Sequence, residues 1–242
     1  MARLIPGLLA AALLVGGCVG RWPTPQPLPS PVPLGQAGGG AVDGSSAARN
    51  FVAVVTRMEP VVEQECRQRS TGLNCDFLIV VDDRPGQPPN AFQTQDRNGR
   101  PVIAFTLPLI AEARNQDELA FIMGHEASHH ILGHLERTRE SALTGALILG
   151  TLASIGGGGD GAVSQAQQIG ASVGARRYSQ DFELEADRLG TEIAFDSGFD
   201  PGRGALFFDR LPDPGNSFLG SHPPNAERAQ AVQQTLARLR GY

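Results

Sequence analysis

Four of the five histidines of this chain fall within the segment GHEASHHILGH at residues 124–134. A chain that is otherwise poor in histidine could concentrate it for a metal site, for a pH-sensitive surface, or by chance. His125 and His129 are four residues apart, so on a helix they project from one face and can share one ion. Together with Glu126 they form the pattern His-Glu-x-x-His, which is typical of two zinc ligands beside a general base.

The flanking sequence predicts that this motif lies in a buried helix. Asn115 followed by Glu118 forms a capping box, which starts a helix predicted to run over residues 116–140. The first half of this helix is apolar on almost every side, which favours burial. Titratable groups inside a core need partners, so the histidines of such a helix are expected to have them.

The other two histidines of the segment are predicted to lie away from the metal. On one continuous helix, His130 points about 100° away from His129, and His134 about 180° away from His125. We therefore expect His130 and His134 to lie at the helix end or to hydrogen-bond to the ligands, and not to bind the same ion.

A catalytic zinc site has three protein ligands and one open position. The third ligand should be a carboxylate or His222, and the segment 178–190 (YSQDFELEADRLG) offers carboxylates. Glu183 and Asp187 share one helix face, so Glu183 can bind the metal while Asp187 accepts a hydrogen bond from a ligating imidazole. Glu185 lies about 200° from Glu183 and is expected to face solvent or a different partner. Without the upstream motif, the same segment would indicate only a solvated, charged helix.

Three motifs in this order, HEASH, ELEAD and SHPPNAER, resemble the gluzincin zinc metallopeptidases of the HtpX and CAAX-prenyl-protease type. The resemblance covers about residues 50–242 and is strongest to small periplasmic lipoprotein members related to BepA, LoiP and YcaL. It implies a zincin-like α+β fold, mostly helical, with a small sheet beside the active-site helix. It also implies one Zn2+ per chain, Glu126 as the catalytic base, Asp187 as the residue that orients a ligand, and as metal ligands His125, His129 and Glu183.

The resemblance extends to a loop near the C-terminus. His222 and Arg228 match a His-Pro…Arg loop that approaches the metal in relatives. Three roles for His222 stay open: a gate that fills the open metal position, a donor to the oxyanion, or a loop residue without a chemical role. The gate is the favoured interpretation.

The N-terminal residues predict export and a lipid anchor. A charged start and a short apolar run lead to VGGC at residues 15–18, which resembles a bacterial lipobox. We expect a lipoprotein signal peptide at 1–17 and acyl chains on Cys18, with Val19 favouring the outer membrane over the inner one. The alternative is a plain signal peptide with a fortuitous cysteine. Residues 18–44, rich in proline and glycine, are predicted to form an extended tether.

Residues 45–242 are predicted to form the zinc metallopeptidase domain. A helix over 45–70 should break or kink at Pro60. Strands are predicted at 77–82, where burial is expected, and in the segments AFQT and VIAFT, with helices after them, which is typical of an α+β layout.

Cys66 and Cys75 lie nine positions apart in a chain expected to reach an oxidising compartment. A disulfide is therefore favoured over two buried free thiols.

Residues 141–175 carry one charge, Asp160, and are rich in small residues. Their apolar run of fourteen residues is shorter than the roughly 20 needed to cross a bilayer. Because the glycines at 156–159 interrupt it, we expect a hairpin of two small-residue helices. Such a hairpin could act as a lid or touch the membrane.

These patterns predict a zinc-dependent endopeptidase on the periplasmic side of the bacterial outer membrane. The resemblance implies unfolded or misassembled envelope proteins as substrates and the outer-membrane assembly machinery as a candidate partner. A substrate is expected to bind as an added strand beside AFQT or VIAFT. The alternative is a proteolytically silent zinc-binding lipoprotein that acts as a periplasmic chaperone or assembly factor. A net charge of −5 and a pI near 5.5 argue against nucleic-acid binding.

Overall fold

The computed structural model describes residues 44–177, 179–210 and 225–241. The predicted signal peptide, the lipidation site Cys18, the tether up to residue 43 and the loop residue His222 lie outside the described residues. In chain order the elements are helix α1 (Gly44–Arg69), strands β1 (Leu78–Asp82), β2 (Ala91–Gln95) and β3 (Pro101–Thr106), helices α2 (Leu107–Glu112), α3 (Gln116–Ile131), α4 (His134–Ile155), α5 (Asp160–Arg177), α6 (Ser179–Asp196) and α7 (Pro201–Gly204), a 3-10 helix (Ala205–Arg210) and helix α8 (Asn225–Leu239).

Helix α1 is continuous through Pro60, so of the predicted break or kink the break is wrong. A proline inside a helix removes one backbone hydrogen bond and crowds the preceding turn. Side chains on both sides of Pro60 are nevertheless buried in the core at helical spacing, and this packing holds the two halves in one helix. The buried residues of α1 are Phe51, Val54, Met58, Val62 and Cys66.

The three predicted strands are confirmed and form one sheet in the order β1-β3-β2. β1 runs parallel to β3, and β2 runs antiparallel to β3. Every residue of the central strand β3 is buried. The expectation that β1 is buried is wrong for four of its five residues, which are half-buried because β1 is an edge strand. β2 is the other edge of the sheet.

Helix α3 passes through the core and is buried on most sides, as predicted. The Asn115 side chain accepts the backbone N–H of Glu118 at 3.0 Å, so the predicted N-cap is confirmed. The second bond of the capping box is displaced by one residue, because the Glu118 carboxylate accepts the N–H of Arg114 at 2.9 Å. The same carboxylate is held by the Arg210 guanidinium in two bonds of 2.8 and 2.6 Å.

The single helix predicted over 116–140 is wrong, because the chain turns between α3 and α4. Gly133 has a φ of 67°, in the left-handed region that favours glycine, and its N–H donates to the carbonyl of His130. The chain therefore continues in a different direction after Gly133. His134, the first residue of α4, therefore does not lie where a continuous helix would put it.

Helices α4 and α5 form the predicted hairpin. Small residues line their contact: a Cβ added to Gly145 would lie 2.0 Å from the carbonyl oxygen of Gly170. The outer sides of the hairpin expose apolar side chains, namely Leu143, Leu147, Ile148, Leu152, Ile155, Ile169 and Val173. Over the described part of the chain, no helix is long and apolar enough to cross a membrane.

Cys66 and Cys75 are joined by a disulfide, with their Cα atoms 5.7 Å apart. The bridge ties the end of α1 to the segment that leads into β1. Next to it, the Nε2 atom of His130 lies 2.8 Å from the carbonyl oxygen of Asn74, so α3 is tied to the same segment.

Where helices α3 and α6 cross, Gly124 of α3 lies against Gly190 of α6. A Cβ added to Gly190 of α6 would lie 2.7 Å from the backbone nitrogen of His125, and one added to Gly124 would lie 2.7 Å from the carbonyl oxygen of Gly190. Both neighbours are backbone atoms, so neither can move aside cheaply. The absence of side chains at these two positions therefore sets how closely the two helices approach.

We expect Gly190→Ala to push α6 away from α3 and to lower the free energy of unfolding by about 1–3 kcal/mol, the usual cost of overpacking a core. Urea denaturation followed by circular dichroism measures this change. The matched control is Gly161→Ala in α5, where an added Cβ meets nothing within 4 Å. Equal unfolding midpoints for the two variants would contradict the role of the crossing.

Candidate metal centre

Three side chains converge at the crossing of α3 and α6. The Nε2 atoms of His125 and His129 lie 3.1 Å apart. A Glu183 carboxylate oxygen lies 3.5 Å from Nε2 of His125, and the other lies 3.4 Å from Nε2 of His129. Among the described residues, this is the cluster of histidine, cysteine and acidic side chains whose donor atoms could hold one ion.

The spacing of these three side chains, His125, His129 and Glu183, hereafter the donor triangle, fits a tetrahedral zinc ion. Zinc binds histidine nitrogen and carboxylate oxygen at about 2.0–2.1 Å, which separates neighbouring ligand atoms of a tetrahedron by about 3.3–3.4 Å. The two Nε2 atoms lie 3.1 Å apart, close to that value, and each lies 3.4–3.5 Å from a different oxygen of Glu183, so this carboxylate can reach an ion held by both imidazoles. Two imidazoles and one carboxylate are also the donor set of catalytic zinc sites that leave the fourth position open.

A buried ion pair orients His125. Its Nδ1 atom lies 2.8 Å from a carboxylate oxygen of Asp187, which is fully buried in α6. Arg228 of α8 donates to both oxygens of Asp187, at 2.8 and 2.7 Å. A carboxylate on Nδ1 fixes the ring tautomer, so that Nε2 faces the metal position.

Burial opposes a charge on His125, but its hydrogen bonds to Asp187 and Glu183 outweigh that effect and raise the pKa of His125 to about 10. Burial also acts against the charged form of Asp187, and the hydrogen bonds from Arg228 and His125 outweigh it, so the pKa of Asp187 is lowered. The carboxylates of Asp187 and Glu183 therefore favour positive charge at the position of His125.

His129 has a different partner. Its Nδ1 atom lies 2.8 Å from Nδ1 of His134, and Nε2 of His134 lies 3.1 Å from a carboxylate oxygen of Glu185. Arg137 donates to that same oxygen at 2.7 Å. Burial and, after it, the neighbouring His129 outweigh the effect of Glu185 and lower the pKa of His134 to about 4. The ring of His134 is stacked on Phe182, with centroids 4.5 Å apart.

The donor triangle opens into a cleft with a volume of about 620 Å³. Glu126, about 100° around α3 from His125, lines this cleft. Strand β2 forms one border through Ala91, Phe92 and Gln93. The base of the α4–α5 hairpin contributes to another border through the side chains of Leu135, Thr138 and Ala175.

The structure thus brings together most of the residues selected from the sequence: His125, His129 and Glu183 at the donor triangle, Asp187 and Arg228 behind it, and Glu126 beside it. The angular prediction for His134 is wrong, since the Gly133 turn brings its ring against His129, but the expectation that it hydrogen-bonds to a ligand is confirmed. Glu185 faces a different partner, the second of the two expected alternatives, because it contacts His134 and Arg137. In the sequence, the glycine before His134 was the one signal that the helix could turn there.

Comparisons with known proteins agree with this geometry. The model of peptidase family M48 matches residues 56–236. Metalloprotease LoiP of Escherichia coli K12 is 29% identical over 134 residues, which cover 53% of this chain and 53% of LoiP. The beta-barrel assembly-enhancing protease of Yersinia pestis is 36% identical over 119 residues, or 46% of this chain and 24% of that protein, and the Escherichia coli K12 protein of the same name is 36% identical over 123 residues.

The matched region thus spans about half of LoiP and a quarter of the two assembly-enhancing proteases. The family model, in contrast, covers most of this chain and includes both α3 and α6. The chain therefore belongs to peptidase family M48, as its three motifs indicated.

Proposed function

We propose that this protein is a zinc-dependent endopeptidase in which His125, His129 and Glu183 hold the metal and Glu126 is the general base. The observation that supports this proposal is the donor triangle, which opens into a cleft lined by Glu126. A structural zinc site fills all four positions with protein ligands. Here the described residues supply three, and the side toward the cleft stays accessible.

The residues of the chain divide the chemistry between them. When bound, zinc polarises the scissile carbonyl and lowers the pKa of water toward about 7. Glu126 accepts the proton of the attacking water as its oxygen bonds to the carbonyl carbon, and returns that proton to the amine nitrogen as the C–N bond breaks. Asp187 and Arg228 hold the ring of His125 in the tautomer that leaves Nε2 free for the metal.

The substrate is proposed to bind as an extended strand along β2. Of the two strands considered from the sequence, β3 is paired on both sides and cannot accept another strand. β2 is an edge strand, and its residues 91–93 border the cleft. Backbone pairing with an edge strand tolerates many side-chain sequences, which suits a protease that acts on unfolded chains.

The proposed setting is the bacterial envelope. The names of the similar proteins connect them with proteolysis and, for two of them, with assembly of β-barrels. We propose that this chain is lipid-anchored through Cys18 at the periplasmic side of the outer membrane. There it would act on unfolded or misassembled envelope proteins and meet the outer-membrane assembly machinery.

A chaperone without proteolytic activity is the second candidate function. The apolar side chains exposed on the α4–α5 hairpin favour it, because such surfaces are typical of sites that bind proteins. The substitution of Glu126 separates the two candidates, since only hydrolysis needs a general base.

Glu126→Gln is expected to retain zinc and stability and to lose proteolysis by about 10²–10⁴-fold, the usual contribution of general acid–base catalysis. The measurement is casein cleavage, with zinc content and thermal unfolding determined on the same samples. Glu136→Gln, at an exposed position of α4, is the matched control and should cleave like the wild type. Unchanged cleavage by Glu126→Gln would rule out this mechanism, and absence of cleavage by the wild type would favour the chaperone.

Glu183→Gln is expected to weaken zinc binding by more than the about 10–100-fold that loss of an outer hydrogen-bond partner costs, because a direct ligand is removed. Competition with a chromophoric chelator measures the affinity. Glu192→Gln in the same helix α6 is the control, since Glu192 pairs with Arg69 at the surface. If both variants bind zinc like the wild type, the third ligand is another residue.

Cys18→Ala is expected to abolish lipid attachment and to release the protein from the membrane fraction, because acyl chains on this cysteine are the proposed anchor. Metabolic labelling with palmitate, followed by fractionation, makes the measurement. Equal labelling of the wild type and the variant would contradict the lipoprotein proposal.

A further inference from the structure

The two histidines of the donor triangle are held by different hydrogen-bond partners. His125 is held by the buried carboxylate of Asp187. His129 is held by a second imidazole, that of His134, which in turn contacts the carboxylate of Glu185. The resemblance gave Asp187 a role but none to Glu185, and the sequence placed His134 only at the helix end or beside a ligand.

The positions of the hydrogen atoms between His129, His134 and Glu185 follow from the geometry of their contacts. The Nε2 atom of His129 faces the other two donor atoms, so its lone pair must point there for the metal, and the proton of the neutral ring sits on Nδ1. That Nδ1–H donates to Nδ1 of His134, 2.8 Å away. Because Nδ1 of His134 accepts, the proton of His134 is on Nε2, from which it donates to the Glu185 carboxylate at 3.1 Å.

Each member of this chain of contacts is fixed by a separate element. The left-handed turn at Gly133 directs His134 back toward α3, where its ring is 3% exposed and stacked on Phe182. Arg137, one turn further along α4, holds the carboxylate of Glu185 at 2.7 Å. His134 is therefore held by stacking on one face of its ring and by contacts at both of its nitrogens.

We propose that His134 is the positioning residue for the metal ligand His129, and that Glu185 sets the tautomer of His134 in which this is possible. The inference rests on the proposed function in one respect, namely that His129 binds the metal. It goes beyond that function, because it assigns a role to two residues outside the donor triangle. In the opposite tautomer of His134, two N–H groups would face each other across 2.8 Å.

The test uses two substitutions of His134 that separate hydrogen bonding from packing. His134→Phe preserves an aromatic ring on Phe182 but removes both nitrogens. His134→Asn loses the ring but places an amide oxygen close to the position of Nδ1, where it can accept the N–H of His129. Zinc affinity is measured by competition with a chromophoric chelator, and stability by urea denaturation of the metal-free proteins.

His134→Phe is expected to lose about 10–100-fold in zinc affinity, as is usual when the hydrogen-bond partner of a ligand is removed. His134→Asn is expected to retain most of the wild-type affinity in spite of lower stability. A role in packing alone predicts the reverse order, with the phenylalanine variant close to the wild type. That reverse order, or equal losses in both variants, would overturn the proposal.

Glu185 offers a second comparison that does not disturb the core, because its side chain is 38% exposed. Glu185→Gln keeps an oxygen that accepts from His134 and is expected to bind zinc like the wild type, whereas Glu185→Ala removes the acceptor and is expected to bind more weakly. Equal affinities for these two variants would overturn the role of Glu185. Wild-type protein that binds no zinc would overturn the proposed function itself, which is a distinct result.

Discussion

The backbone contact between Gly124 and Gly190 is the constraint on which the metal centre depends. Glu183, Asp187 and Gly190 recur at intervals of four and three residues, so they share one face of α6. That face places a glycine against the backbone of His125, and it also carries a donor and the partner of a donor. The distance between the helices and the size of the donor triangle are therefore set by the same contact, and a methyl group at Gly190 would alter both.

Buried charge makes the triangle a site for a cation. Two carboxylates, Glu183 and Asp187, face one guanidinium, that of Arg228, in a region where an unpaired charge is costly. Their hydrogen bonds raise the pKa of His125 to about 10, so a proton or a metal ion at this position balances the remaining negative charge. Metal binding must displace this proton, since a ligand nitrogen needs its lone pair. The charges around the site therefore favour a cation, and the hydrogen bonds of Asp187 and Arg228 affect how tightly it is bound.

The sequence predicted the parts of this site that depend on local periodicity. The spacing of His125 and His129, and that of Glu183 and Asp187, required only that each pair lie on a helix. Features that depend on a single backbone torsion or on strand order were missed. A glycine inside a helical pattern is compatible with a continuing helix at a cost of about 1 kcal/mol, so the turn at Gly133 could not be distinguished from one. The order of the strands could not be predicted from the sequence either. The buried central strand is therefore β3 and not β1, for which burial was expected.

The same turn at Gly133 connects the metal centre to the most exposed apolar part of the described chain. His129 and His134 lie on opposite sides of the turn, on α3 and α4. Arg137 and Glu185 join α4 to α6, so the contact between the two imidazoles holds only while α4 keeps its position relative to both other helices. Helix α4 is also the first arm of the hairpin whose base borders the cleft. A displacement of that arm would remove His134 from Nδ1 of His129, and among the residues that the structure describes no other hydrogen-bond partner of that atom is seen.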